Sequence, residues 1–440
     1  MPDLMTNSDS LLASAQAHPT NGPEWLNTIR QSAAASFAKL GLPTRKHEDW
    51  KYTNLRRVGE MTYTPITSIS SHEMPTVDSE LIPEACAHLV FVDGVYVPAL
   101  SKCLTTGPLQ IMTLQSAIES EVPQVKEHLA KIADFEDEAI TALNTSLFTD
   151  GAVVTIADGH VAEHPVHILN IVTHTDQPVV VAPRTLIIAG SQSEASVVES
   201  FLSPDGTSAF VCPVTEIVVG SGSTNKYYRD VREGSGTVHL ARTHVHQADR
   251  TNTVTTALTA SGKICRNAIY ATLDGAGSNA DMIGLTMTRG AEHVDNFLRV
   301  DHAKERCDSR EFFKSVLDDQ SSVAFCGRII VREGAQKTDA KQTNMNLLLS
   351  PDASVDTRPQ LEIFADDVKC THGATVGQIE DEAIFYLAAR GLDKETARSM
   401  LIYAFANECL EHVSIASLRQ RHEAILLDRI PHGHRLMSEV

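Results

Sequence analysis

The sequence predicts a mainly β fold, a parallel β-helix (solenoid) flanked by N-terminal and C-terminal helical subdomains. Three observations carry that expectation. From Gly151 to about Val331 the chain is a succession of short β-rich runs without strong helical periodicity. Gly, Asn, Asp and Ser break these runs at irregular intervals, and no tight Asn-Gly hairpin occurs among them, as expected of stacked rungs. Helical patterns then appear on both flanks, where a solenoid needs its raw sheet edges covered. A β-sandwich is the plainer alternative.

Taken in order, the first third reads as mixed and largely helical. From Leu26 the apolar positions Ile29, Ala33, Phe37 and Leu40 recur at helical spacing until Gly41 and Pro43 stop them. Leu89 to Val97 alternates like a strand pair, with Asp93-Gly94 as its turn. Helical periodicity resumes from about Val125 to Leu147 and ends at Asp150-Gly151. In the middle, runs such as Ala152–Ile156, His167–Val172, Glu216–Val219 and Cys326–Val331 supply the rungs. Only two lysines, Lys226 and Lys263, fall between 151 and 300. The last quarter returns to helix. Ala383, Ile384, Leu387 and Ala388 form one stripe closed by Gly391, and Asp393 is placed to cap the next helix, with Ala397, Met400, Leu401, Ala404 and Phe405 as its stripe. A third helix is expected from about Ser417 to Leu427. The implied division is 1–148, 149–365 and 366–440.

Bulk composition narrows the function. With 42% hydrophobic and 21% charged residues among 440, the chain has the make-up of a folded protein. Its formal charge of −19 repels phosphate backbones, which argues against a nucleic-acid partner. No run of about 18 apolar residues is present, so no membrane span is expected. The N-terminal residues lack the basic start and apolar core of a secretory signal, and cytoplasmic residence is the expectation. The eight cysteines, at 86, 103, 212, 265, 307, 326, 370 and 409, never form C-x-x-C. Most are expected to be small buried hydrophobes.

The chemistry concentrates at Leu361–Gly391. There Cys370 and His372 stand two positions apart just before a helix. In an extended segment both side chains point the same way, with α-carbons roughly 6.5 Å apart, so one metal ion or cluster edge could take both. The alternative is a buried cysteine beside a hydrogen-bonded histidine, and the tripeptide alone favours it. No second ligand pair lies nearby, so a real site would need another chain to complete it. His244 and His246 share one face of a strand, with His239 on the opposite phase, a weak metal pattern. Asp301-His302 and Cys307 precede a polar patch, Ser309–Lys314. Gly275-Ala-Gly277 mimics a dinucleotide fingerprint but is followed by a strand pattern, and Gly220–Lys226 lacks the P-loop register. Both read as turns. Neither a G-x-S-x-G elbow nor an H-E-x-x-H helix is present, and ATP hydrolysis by a P-loop mechanism is not expected.

The stretch Leu361–Gly391 resembles the C-terminal signature of the SufB/SufD family of iron–sulfur cluster assembly proteins. The likeness extends upstream through Ala335–Leu349 and Val355–Ile363. At the other end Gly41–Thr53 and Leu89–Ser101 resemble the SufD branch rather than SufB, and the N-terminal cysteine cluster of many SufB chains is missing. The resemblance implies a right-handed parallel β-helix with helical flanks. It implies a non-catalytic subunit paired with SufB through the β-helix, with a SufC ATPase on the C-terminal helices. Tyr403 and Phe405 are the candidate anchors there. It also implies that Cys370 and His372 sit at the SufB–SufD interface, where a transient iron–sulfur cluster or iron is handled. No tightly bound cofactor is expected in the isolated chain, and a homodimer is a further state when SufB is absent. A SufB-type main scaffold and a polysaccharide-acting β-helix enzyme are the alternatives. The latter is disfavoured by 5% aromatics and the lack of an export signal.

Overall fold

The computed structural model describes residues 9–17, 22–66, 69, 74–173 and 177–433; the outer ends of the two terminal ranges, 1–8 and 434–440, lie outside them. Seventeen strands build the centre. In chain order they are β1 (Ala87–Val92), β2 (Gly151–Ile156), β3 (Val166–Ile171), β4 (Arg184–Ala189), β5 (Glu194–Leu202) and β6 (Val214–Val219). There follow β7 (Thr224–Arg232), β8 (Val238–Gln247), β9 (Asn252–Ser261), β10 (Ile264–Leu273), β11 (Asn279–Thr288) and β12 (His293–His302). The last are β13 (Asp308–Leu317), β14 (Ser322–Val331), β15 (Asp339–Leu348), β16 (Ser354–Ile363) and β17 (Lys369–Gly377). Even-numbered strands stack in one sheet and odd-numbered strands in the other. Neighbours within each stack are parallel. The result is a parallel β-solenoid of about seven turns, the fold class the sequence predicts.

Two antiparallel additions close the N-terminal end. Leu109–Thr113 pairs with β2, and Val95–Tyr96 folds back on β1. Asp93 (φ 53°) and Gly94 (φ 75°) are both left-handed, the backbone a two-residue hairpin turn requires. The strand pair expected from Leu89 to Val97 is therefore part of the solenoid, because β1 also pairs with β3. At the other end the sheets continue past residue 365, since β17 pairs with β15. The C-terminal helices begin only at Asp381.

Helices cover the outer faces. α1 (Asp9–Ala17), α2 (Glu24–Leu40), α3 (Pro123–His128) and α4 (Ala139–Leu147) lie on the N-terminal side. Phe37, Trp50, Ile140 and Leu143 pack in one cluster with Val238 and Leu240 of β8. α5 (Asp381–Ala388), α6 (Lys394–Leu410) and α7 (Ala416–Arg429) follow the solenoid. Ile402, Ala406, Leu410 and Leu418 pack with Tyr228, Leu258 and Leu285 of the odd sheet. Strands sandwiched this way bury both faces, which is why the middle of the chain reads as apolar runs rather than clean alternation. Asp393 caps α6 by accepting from the backbone N–H groups of Glu395 and Thr396.

The helix expected from Val125 to Leu147 is two helices. The backbone N–H groups of Ala130, Lys131, Ile132 and Ala133 all donate to the buried Glu216 carboxylate, at 2.8–3.2 Å. A carboxylate that collects four backbone donors competes with helical pairing, and Ala130 turns to φ 58° to allow it. Arg184, fully buried, pairs with the same carboxylate.

Candidate metal-handling edge

Side chains alternate between the interior and the outside along every rung. Interior positions near the start hold a hydrogen-bonded polar cluster. Glu199 accepts from Thr185, Thr215 and Tyr227, and Arg229 donates to Thr215 and Tyr227. Farther along, Ala257, Ile269, Met282, Leu298, Phe313 and Phe325 form an apolar plug. Gly284 belongs to this plug, because a Cβ there would overlap the Phe313 ring.

Beyond the plug the solenoid ends at β16 and β17, which among the described residues have no further neighbour in either sheet. Cys370 and His372 stand on β17, in register with Ala340 and Gln342 of β15. Their two-residue spacing puts both on one face of the strand, as expected from sequence. That face is the inner one, since Cys370 packs with Ile329, Val331 and Ala340 at the solenoid's end. Cys370 is half-buried and His372 exposed. Burial pushes the Cys370 thiol above its ordinary value, and the charge of Asp339 adds to the effect. Among the described residues no group of three or more His, Cys, Asp or Glu is placed to hold a metal ion. The pair stands by itself on an open edge.

Apolar surface surrounds that edge. Phe364 is 64% exposed, and Ile363 and Val376 are exposed beside it. On α5, Phe385 and Tyr386 are 72% and 58% exposed. The stripe read from sequence on this helix (Ala383, Ile384, Leu387 and Ala388) is its half-buried face, so Phe385 and Tyr386 point away from the protein. Sequence reasoning missed these two, although their i, i+1 placement between stripe positions was the available signal. Tyr403 and Phe405 are placed differently. Both are partly buried in the cluster between α6 and the solenoid. Lys314 lies 4.5 Å from the Phe405 ring centroid and donates to its backbone carbonyl at 2.9 Å. They secure α6 to the sheet, and the open aromatic surface of the C-terminal unit is on α5.

The remaining candidates are scattered. His239 faces inward, fully buried, 3.2 Å from Glu233 and against the Phe201 ring. His244 and His246 face outward, bonded to Thr272 (3.0 Å) and Asp274 (3.4 Å). Burial and the neighbouring Arg242 push His244 well below its ordinary value. Asp301 is held by Arg332, His302 bonds Ser309 at 2.9 Å, and the buried Cys307 thiol donates to the Gly275 carbonyl. Gly275–Gly277 and Gly220–Gly222 are the turns before β11 and β7, as read from sequence. No helix among the described residues is long and apolar enough to cross a membrane.

Comparison with known proteins agrees with this architecture. Residues 171–405 match the model of the SufBD core domain of the SUF system for iron–sulfur cluster assembly, and residues 10–168 match the SufBD N-terminal region. The chain is 32% identical to the iron–sulfur cluster assembly protein SufD of Escherichia coli, over 92% of this chain and 93% of that protein. It is 29% identical to an iron–sulfur cluster assembly SufBD family protein of Synechocystis, covering 89% and 88%. It is also 24% identical to SufD of Bacillus subtilis, covering 91% and 92%. A polysaccharide-acting solenoid is thereby set aside. With a SufBD core, a SufBD N-terminal region and SufD proteins aligned along nearly its whole length, the chain belongs to the SufBD family of SUF-system iron–sulfur cluster assembly proteins and is of the SufD type.

Proposed function

We propose that the chain is a non-catalytic subunit of a cytoplasmic SufB–SufC–SufD assembly complex. In this reading it pairs with SufB along the open β16–β17 end and carries a SufC ATPase on its C-terminal helices. Cys370 and His372 take part in handling the nascent cluster or its iron. The observation that carries the reading is the position of this thiol–imidazole pair, on one face of the terminal strand, beyond which no further rung follows among the described residues. Cluster iron takes thiolate ligands and accepts histidine nitrogen in their place. Two ligands on an unpaired edge become a complete set only when another chain supplies the rest. The apolar residues Ile363, Phe364 and Val376 beside the pair support a macromolecular contact at the same edge. Phe385 and Tyr386 make α5 the favoured outward surface for the ATPase. The test is His372→Ala in the reconstituted complex, with iron and acid-labile sulfide measured after assembly. Cluster build-up is expected to be lost while the subunits still co-purify; unchanged cluster yield would remove the ligand role.

A further inference from the structure

The inner face of the odd sheet places two unusual residues directly behind His372. The strand registers run Met282, Glu311, Gln342, His372 across β11, β13, β15 and β17. Glu311 and Gln342 are each 1% exposed, and Gln342 Nε2 donates to Glu311 Oε2. Across the interior stands Gly327 of β14. A Cβ there would overlap Gln342 Nε2 and come within 2.6 Å of Glu311 Oε2. The opposite sheet thus lacks a side chain at the one place where the carboxyl–carboxamide pair needs room. Meanwhile Glu311 Oε1 and Gln342 Oε1 are buried with no partner among the described residues. A buried pair that leaves one acceptor of each group unused is costly as a mere structural element.

We propose that Glu311 and Gln342 are positioning residues for His372, the carboxamide of Gln342 transmitting the state of Glu311 to the terminal rung. The inference rests on the reading of His372 given above. While Glu311 is ionised it accepts from Gln342 Nε2, and Oε1 of the same amide is left for the rung beyond. There it is available to an imidazole N–H of His372, its register neighbour, and such a bond fixes the tautomer of a ligating histidine and leaves its other nitrogen free for metal. When Glu311 takes up a proton, its new O–H needs an acceptor. The amide supplies one by turning its oxygen back toward Glu311, and its NH2 then faces the terminal rung. A donor there cannot receive the imidazole proton.

Burial raises Glu311 to about 7, against which the Gln342 hydrogen bond works, so the exchange falls in the physiological range. The groups around it are uncharged: Met282 on β11, Gln342 on β15, Gly327 and Phe325 on β14, and Ser309 and Phe313 on its own strand; the titratable His302 of β12, bonded to Ser309 at 2.9 Å, is pushed down to about 4 by burial and is neutral across this range. Cluster formation is therefore expected to increase as pH rises through about 7.

The experiment follows cluster build-up from ferrous iron and sulfide in the full reconstituted complex between pH 6 and 8. Wild type is compared with E311Q, Q342A and H372A. Wild type should show the inflection. E311Q, which keeps the shape and the hydrogen bond but cannot ionise, should lose the inflection near 7 and keep only the pH dependence that proton release from the metal ligands imposes on any site. Q342A should slow build-up about tenfold or more, the usual cost of removing a group that orients a metal ligand. If H372A builds clusters normally, the ligand reading and this inference fall together. If H372A fails while E311Q keeps the wild-type pH profile, the ligand reading stands and the positioning role is overturned, whatever Q342A does.

Discussion

Replacing Asp230 by Ala should undo much of the attachment between the solenoid and the C-terminal helices. Asp230 is fully buried on the outer face of β7, under α7. It pairs with His422 Nε2 at 2.9 Å and accepts from Ser200 Oγ and Arg232 Nε at 3.1 Å, with Arg421 at 3.8 Å. Burial alone would raise its pKa, but Arg232, His422 and Arg421 outweigh burial and hold it far below the ordinary carboxylate range. Removing one member of a buried ion pair costs about 3–5 kcal/mol. Here Arg232 keeps Glu80 at 2.7 Å, and Arg421 keeps the carbonyls of Ser79, Glu80 and Leu81, so the loss should lie near the lower figure, about 3 kcal/mol. Urea unfolding of wild type, D230A and D230N at pH 7 measures the loss, and limited proteolysis shows whether α7 is released first. A depressed folded-state pKa gives stability that is full above the unfolded value near 3.9 and lost as pH falls below it. The gap between wild type and D230A should accordingly narrow in acid. A loss under about 1 kcal/mol, or a gap that does not change between pH 7 and 3, would refute the reasoning.

Two further outcomes test the interior. Gly284→Ala should destabilise the chain by about 1–3 kcal/mol in thermal unfolding, because the added methyl meets the Phe313 ring inside the apolar plug; an unchanged Tm would mean that the plug has room to shift. E311Q should match wild type in stability near pH 4 and exceed it by about 3 kcal/mol at pH 8. The sign follows from a raised folded pKa: the unfolded carboxyl ionises from about 4.5 upward while the folded one stays protonated until about 7. Wild type loses stability across that window and E311Q does not. Equal pH dependence of the two would show that Glu311 ionises normally.

Much of the candidate edge was legible because Cys370 and His372 are neighbours in sequence, and alternation along an extended strand fixes their relative direction. Asp393 was likewise readable, since a cap acts on N–H groups two and three residues away. The break between α3 and α4 was not readable. Its cause, Glu216, lies more than eighty residues from the N–H groups it binds, and local periodicity carries no sign of it. Tyr403 and Phe405 could not be placed either, because a helix with apolar residues on several sides does not reveal which of them meets Lys314.

What the amino-acid order determined by itself was the alternation of rungs, the helical flanks and the thiol–imidazole pair, all products of contacts within a few residues. The stacking register decided the rest. Only the parallel pairing of strands some thirty residues apart brings Glu311 and Gln342 into line behind His372, with Gly327 opposite. It also leaves the last rung without a neighbour. Each of those relations depends on which strands lie side by side, and hydrogen bonding between backbones is nearly indifferent to the side chains that come into register.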